Sequence, residues 1–188
     1  MKRTKNIVIV SHCILNVNSK VEGTCEFGNV SQRLIKYLMD NNYGIIQLPC
    51  PELTIYGLKR WGHVREQFDN PYYRKHCRSI FEPILDQIED YIKNGYKIEA
   101  LIAVKGSPSC GYNLTCSSSI WGGEFIDKEN TDKKIEDLRL INNLGVFMEE
   151  IEQTLIEKNM KINIIDMDEE SEAVTMEAIT ELLKGKGN

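Results

Sequence analysis

A chain of 188 residues with 41% apolar content is long enough to bury one core and needs no second, so residues 1–188 are expected to form one domain. The formal net charge of -5 is mild and its lysines and arginines are scattered among acidic neighbours, which argues against duplex nucleic acid and for a small-molecule partner. No run of about 18 apolar residues occurs, and the short apolar run before Ser11 is too brief for a signal-peptide core, so no membrane span or export is expected and the cytoplasm is the expected compartment.

Residues 6–11 form a continuous β-branched run, the pattern of a strand covered on both faces. Val30, Leu34, Tyr37 and Leu38 recur at helical spacing, and Asn41-Asn42-Tyr43-Gly44 supplies a stop. This predicts a helix over 30–40 that crosses to a strand over 44–48. Asn70-Pro71 opens a long helix whose stripe of Ile80, Phe81, Ile84, Leu85, Ile88, Tyr91 and Ile92 ends at Gly95, with a kink expected at Pro83. A strand over 98–104 follows. Residues 106–134 show no period of either kind, and a stretch that long is usually functional, so it is expected to wall or cover a site. Val146, Phe147, Ile151, Leu155 and Ile156 mark another helix, residues 161–165 a fourth strand, and residues 172–184 a last helix before a frayed tail at 185–188. Strands alternating with helices predict an α/β fold: a three-layer, Rossmann-like parallel sheet with helices on both faces.

The cysteines carry the chemistry. There are six, with no Cys-x-x-Cys pair and no Cys followed six residues later by Arg, which removes support for thioredoxin-like exchange, a local zinc knuckle and the phosphatase loop. In a reducing compartment they are metal ligands, nucleophiles or apolar fillers before they are disulfides. Cys13, Cys50 and Cys110 each follow an expected strand. In an open parallel sheet ligands bind at the carboxyl edge of the strands, so the three thiols are expected to meet there. Such a trio suits three irons of a cubane cluster or three corners of a zinc site.

Around them, Gly106-Ser107-Pro108-Ser109-Cys110-Gly111 packs small residues about one thiol, a turn able to point backbone N–H groups at an anion or at cluster sulfides. Cys50-Pro51-Glu52 places a carboxylate near a thiol, where it can move protons or merely cap a helix. His12 adjoins Cys13, but neighbours on a strand point to opposite faces, so it reads as a packing or hydrogen-bonding residue. Arg60-Trp61-Gly62-His63 and Ile120-Trp121-Gly122-Gly123-Glu124 put both tryptophans in irregular segments, for ring stacking and arginine recognition of a substrate or for simple closure of loops. Cys77, on the long helix, reads as a filler; Cys116 is a fourth ligand, a redox partner or a bystander; Cys25 is a weaker candidate still.

Ser11-x-Cys13, Cys50-Pro51-Glu52 and Gly106-Ser107-Pro108-Ser109-Cys110-Gly111, in this order between residues 6 and 167, resemble the family once called DUF523, which includes the thiouracil desulfurases. The resemblance implies a 4Fe-4S cluster held by Cys13, Cys50 and Cys110, whose open iron takes sulfur from a thiolated nucleobase and leaves the oxo-base. It also implies that Glu52 and Ser107 assist as catalytic residues, with Ser109, Arg60 and Trp121 on the substrate. Cys13 is followed by Ile14-Leu15-Asn16 and later by Val21-Glu22-Gly23, where the family usually has Leu-Leu-Gly and a Tyr-x-Gly element. That departure points to a related branch of desulfidases acting on a thiolated nucleobase or a similar small thio-compound. No Gly-x-Gly-x-x-Gly follows the first strand, so no nicotinamide or flavin is implied. The competing readings are a non-enzymatic metal or iron–sulfur sensor, and a metal-free thiol enzyme with Cys110 as nucleophile.

Overall fold

The computed structural model describes residues 3–24 and 29–184. The chain runs through β1 (Asn6–Val10), a single turn α1 (His12–Leu15), α2 (Asn29–Asp40) and β2 (Gly44–Gln47). It continues with the short helices α3 (Pro51–Tyr56) and α4 (Arg65–Phe68), the long α5 (Pro71–Lys93) and β3 (Lys97–Val104). Then come β4 (Thr115–Ser117), α6 (Lys128–Glu136), β5 (Arg139–Ile141), α7 (Val146–Glu157), β6 (Ile164–Met167) and α8 (Glu172–Lys184).

Four strands pair in parallel in the order β2-β1-β3-β6, and β4 pairs antiparallel with β5 in a small second sheet. Alternate side chains of β3 enter opposite layers, as strand pleating requires. Ala100, Ile102 and Val104 join Val8, Val10 and Met167 under α2 and α8, with Leu34, Leu38, Met176, Ile179 and Leu183. Leu101 and Ala103 join Ile7 and Ile9 under α5 and α7, with Phe81, Leu85, Ile88, Phe147 and Ile151. Each fully buried large side chain contributes about 1.5–3 kcal/mol. Helices therefore cover both faces of a parallel sheet in three layers, the Rossmann-like architecture that the sequence predicts. The strand order reverses direction at β1, which puts the switch point of the sheet between β1 and β3, where such folds keep their ligands.

A charged seam locks α5 to α7. Glu150 is buried on α7 and takes Arg74 Nη1 at 2.6 Å and Arg78 Nη1, while Glu149 Oε2 takes Arg65 Nη2 at 2.6 Å and Arg74 Nη2 at 2.8 Å. A buried carboxylate is tolerable only when paired in this way.

Several expected boundaries move. The first strand stops at Val10, because Ser11 already caps α1. The fourth strand begins at Ile164 instead of residue 161, its register set by Leu101 opposite Ile164. Pro83 lies inside α5, which continues through it as one helix, since a proline removes only one N–H of a long ladder otherwise anchored by its apolar face. Residues 106–134 are not featureless: they hold β4 and most of α6. Ile92 and Ile156 point outward, 43% and 68% exposed, although the stripes included them. The tail at 185–188 lies outside the described residues. Among the described residues no helix is long and apolar enough to cross a membrane.

Candidate functional site

Each of the three expected ligand cysteines sits just past a strand of the central sheet. After β1, the Ser11 N–H and hydroxyl both donate to Ile102 O, at 3.0 and 3.2 Å, which turns the chain into α1 and sets Cys13 in that turn. After β2, Cys50 is the N-cap of α3 and its sulfur accepts the Leu53 N–H at 3.4 Å, with Pro51 at the first helical position that proline favours. After β3, Gly106 takes φ +80°, a conformation open to glycine, and the chain folds back so that Cys110 O accepts the Val104 N–H at 3.0 Å.

The Cys110 loop is held from outside by α7. Gly145 N donates to Gly111 O at 2.7 Å, Val146 N to Pro108 O at 3.1 Å and Phe147 N to Ser109 O at 2.9 Å. The free amides that every helix start carries are thus satisfied by the loop's carbonyls. Gly145 permits this approach, since a Cβ there would stand 2.5 Å from the Ser109 carbonyl carbon, and Gly111 permits the loop's own turn, since a Cβ there would stand 2.2 Å from Leu114 O. Four of the loop's own N–H groups are also committed. Those of Gly106, Ser107, Cys110 and Gly111 go to Leu114 O, Val104 O, Ser107 Oγ and Ser107 O. These four stabilise the turn itself, where the expectation was that the turn's N–H groups would aim at a ligand.

The eight residues expected at the site line one cavity of about 350 Å³ at the carboxyl edge of β1, β2 and β3: Cys13, Cys50, Cys110, Glu52, Ser107, Ser109, Arg60 and Trp121. Burial pushes the Cys110 thiol well above its ordinary range, and the neighbouring Cys50 and Cys13 push it further. Burial likewise raises Cys50, and takes Cys13 up to about 12 against the pull of Lys20. The three thiols thus feel one another's charge and stay protonated unless something positive lies among them. The five described cysteines are free.

Glu52 is buried in the first turn of α3 and held at both oxygens. Arg60 Nε donates to Oε2 at 3.0 Å and Ser109 Oγ to Oε1 at 2.5 Å. Ser107 Oγ lies 3.4 Å from Ser109 Oγ, so two hydroxyls lead from the Cys110 loop to the carboxylate. Arg60 also donates to Ser19 O at 2.7 Å and Gly57 O at 3.3 Å. Its guanidinium thus orients Glu52, a task that the expected substrate contact did not include. Trp121 is fixed on the cavity wall, its Nε1–H on Gly62 O at 2.9 Å and its ring edge-on to Phe125. Trp61 stacks on the same Phe125 but is 78% exposed and lies outside the lining. The strand argument for His12 fails, since it opens α1; its ring still serves as a hydrogen-bonding residue, with Nδ1 3.2 Å from Leu48 O.

Cys77 is wholly buried in α5, as a filler should be. Cys116 on β4 lines the cavity, but the charge it feels is that of Glu66 and not of the three thiols. Cys25 lies outside the described residues. Two further features of the wall were not singled out from sequence. His63 packs against Tyr56 at 4.8 Å and Phe68 at 4.9 Å, and burial lowers its pKa so that the imidazole is neutral. Lys20 pairs with Glu169, and their separation of 149 positions hides the pair from any local pattern.

Among the described residues no three of His, Cys, Asp or Glu converge tightly enough to hold a single metal ion. A cluster asks for a wider set, since each thiolate takes a different iron. No family model matches the chain, and no solved structure does. The chain is 39% identical over 137 residues to a Methanocaldococcus jannaschii protein described as uncharacterized protein MJ0003, an alignment covering 73% of this chain and 82% of that protein.

Proposed function

The chain belongs to the family of the archaeal protein MJ0003, and from its site we propose that it is an iron–sulfur-dependent desulfidase of the DUF523 kind. On this reading it removes sulfur from a thiolated nucleobase or similar small thio-compound. The observation that carries the proposal is the meeting of Cys13, Cys50 and Cys110, from three strand ends, with Glu52, Ser107 and Ser109 in one cavity. The donor chemistry fits a 4Fe-4S cluster: three neighbouring thiols, Cys110 buried and Cys13 and Cys50 part-buried, ionise together when a cationic group binds among them. Cys13, Cys50 and Cys110 would hold it, and when bound it would supply an open iron with affinity for soft thiocarbonyl sulfur.

The rest falls to the protein. Conversion of a thiocarbonyl and water to a carbonyl and hydrogen sulfide needs no oxidant or reductant, only movement of protons. Glu52, oriented by Arg60, offers Oε1 as the base that takes a proton from the attacking water, and Ser109 Oγ shares that oxygen. Ser107 Oγ, beside Ser109, positions the ring or the departing sulfide. Trp121 supplies a fixed planar face for the base. Free thiols suit the reducing cytoplasm, the compartment this reading requires.

The test is iron and acid-labile sulfide content after anaerobic reconstitution of wild type and of Cys13→Ala, Cys50→Ala and Cys110→Ala, followed by sulfide release from thiobases. About four irons and four sulfides, lost in each variant, are expected. No iron, or normal iron in all three variants, would sink the proposal. Glu52→Gln separates enzyme from sensor: turnover falls by about a hundredfold or more while iron content holds.

A further inference from the structure

The only buried residue of α6 is a lysine, Lys134. A lysine is seldom buried without a partner. Here the partners are two backbone carbonyls: Nζ donates to Gly122 O and to Glu124 O, both at 2.6 Å, and lies 4.5 Å from the centre of the Phe125 ring. No carboxylate is among them. The one side chain that α6 buries is thus spent on the segment that follows Trp121.

That segment needs a clasp. Among the described residues no backbone N–H or C=O of residues 119–126 bonds to another backbone group, so neither a ladder nor a turn fixes it. On its near side, Ser118 Oγ accepts the N–H groups of Ile120 and Trp121 at 3.2 and 3.0 Å, and Asp137 Oδ2 accepts that of Ser119 at 2.7 Å. From Gly122 to Ile126 the hydrogen bonds among the described residues are those to Lys134. Gly122 and Gly123 take φ +118° and +68°, which glycine adopts readily, and Ile120, Phe125 and Ile126 are exposed. The segment meets the other wall of the cavity through Trp121 Nε1 on Gly62 O and the stacking of Trp61 on Phe125. We infer that Lys134 is a positioning residue: it clasps residues 119–126 as a lid, and so holds Trp121 on the cavity that contains Cys50 and Cys110. The inference rests on the desulfidase reading for what the cavity does, and adds how it opens: release of the two carbonyls lets the segment swing about Gly122 and Gly123 and uncovers the thiols.

Lys134→Met keeps the length of the side chain and removes its donors. In the iron-free, reduced chain, alkylation of each cysteine by iodoacetamide, followed by peptide mass spectrometry, reads how often the lid opens. Cys50 and Cys110 should react about tenfold faster than in wild type, the consequence of two lost hydrogen bonds, while Cys77, buried in α5, should keep its rate. Lys133→Met, which breaks the exposed pair with Glu129 one residue away, should change none of these rates. Phe125→Ala, which leaves the lysine in place, should act in the same direction as Lys134→Met. In a Trp61→Phe background both should raise acrylamide quenching of Trp121, then the one tryptophan of the chain. Unchanged rates at Cys50 and Cys110 would overturn the inference. So would an equal rise at Cys77, which would mean that the lysine holds the fold and not the lid. Because the measurement uses no iron, failure of the desulfidase reading shows separately, as a reconstituted protein that takes up no iron or releases no sulfide.

Discussion

The close approach of α7 to the Cys110 loop makes Gly145→Ala a demanding test of the structure. Gly145 has φ -67° and ψ 151°, open to any residue, so the backbone conformation itself imposes no penalty. The obstacle is space. An alanine Cβ would stand 2.5 Å from Ser109 C, 2.6 Å from Ser109 O and 2.9 Å from Cys110 N, where ordinary contact begins at 3.4 Å. All three are backbone atoms, so no rotamer change relieves them, and either the first turn of α7 or the loop must shift. Overpacking of this kind costs about 1–3 kcal/mol. The shift also strains the bonds from Gly145, Val146 and Phe147 to the loop carbonyls, each worth about 0.5–1.5 kcal/mol. A total near 3 kcal/mol, at about 2–4 °C per kcal/mol for a chain of this size, lowers Tm by about 6–12 °C. Thermal melting followed by circular dichroism reads it, with Gly62→Ala as control, since no atom lies within 4 Å of a Cβ there. A Tm for Gly145→Ala within about 2 °C of wild type would refute the packing argument.

Arg60→Met leaves Glu52 as a buried charge without its partner, and a loss of about 3–5 kcal/mol in urea unfolding is expected; Glu52→Gln in the same chain should return much of it. Cys116→Ser and Cys77→Ala should keep wild-type iron content on reconstitution, because neither thiol belongs to the coupled trio; a halved content in either variant would show otherwise. Asp69 is held below its ordinary 3.8 chiefly by the Arg74 hydrogen bond, so its contribution is present above pH 3.8 and lost as pH falls below it. Asp69→Asn should therefore destabilise the protein by less than about 1 kcal/mol at neutral pH, the pair being part-exposed, with the gap closing under acid; urea midpoints at the two pH values that widened instead would contradict the assignment.

The central sheet was legible because its strands are short β-branched runs and its covering helices carry apolar stripes, each readable in a local window. What was missed lacks such a signature. β4 and β5 have three residues each, too few to display alternation, and they exist through their mutual pairing at Cys116 opposite Leu140. α6 is nearly all polar, with Ile135 its one large apolar residue, and it is 53% exposed. α3 was hidden by its six-residue length, although its capping cysteine and first-turn proline were on view as a motif. At the site, residue types at the ends of strands were enough to find the thiols and Glu52. The partners of Glu52 were not, because Ser109 lies 57 residues away and only the fold brings it there. Arg60 was noticed for its neighbours in sequence, and its task became visible through Ser19 O and Glu52, both reached across loops.

The carbonyls of Pro108, Ser109 and Gly111 serve two structures at once: they are the cap of α7, and they fix the backbone that carries Cys110. Neither can form without the other, so whatever tightens the hold on that sulfur also fastens α7, and through Glu149 and Glu150 the arginines of α4 and α5. A group bound only by the native state adds its binding free energy to folding. Loading of the site and closure of that layer should accordingly behave as one transition, in which melting of α7 ejects the bound group and its arrival protects α7 amides from hydrogen exchange.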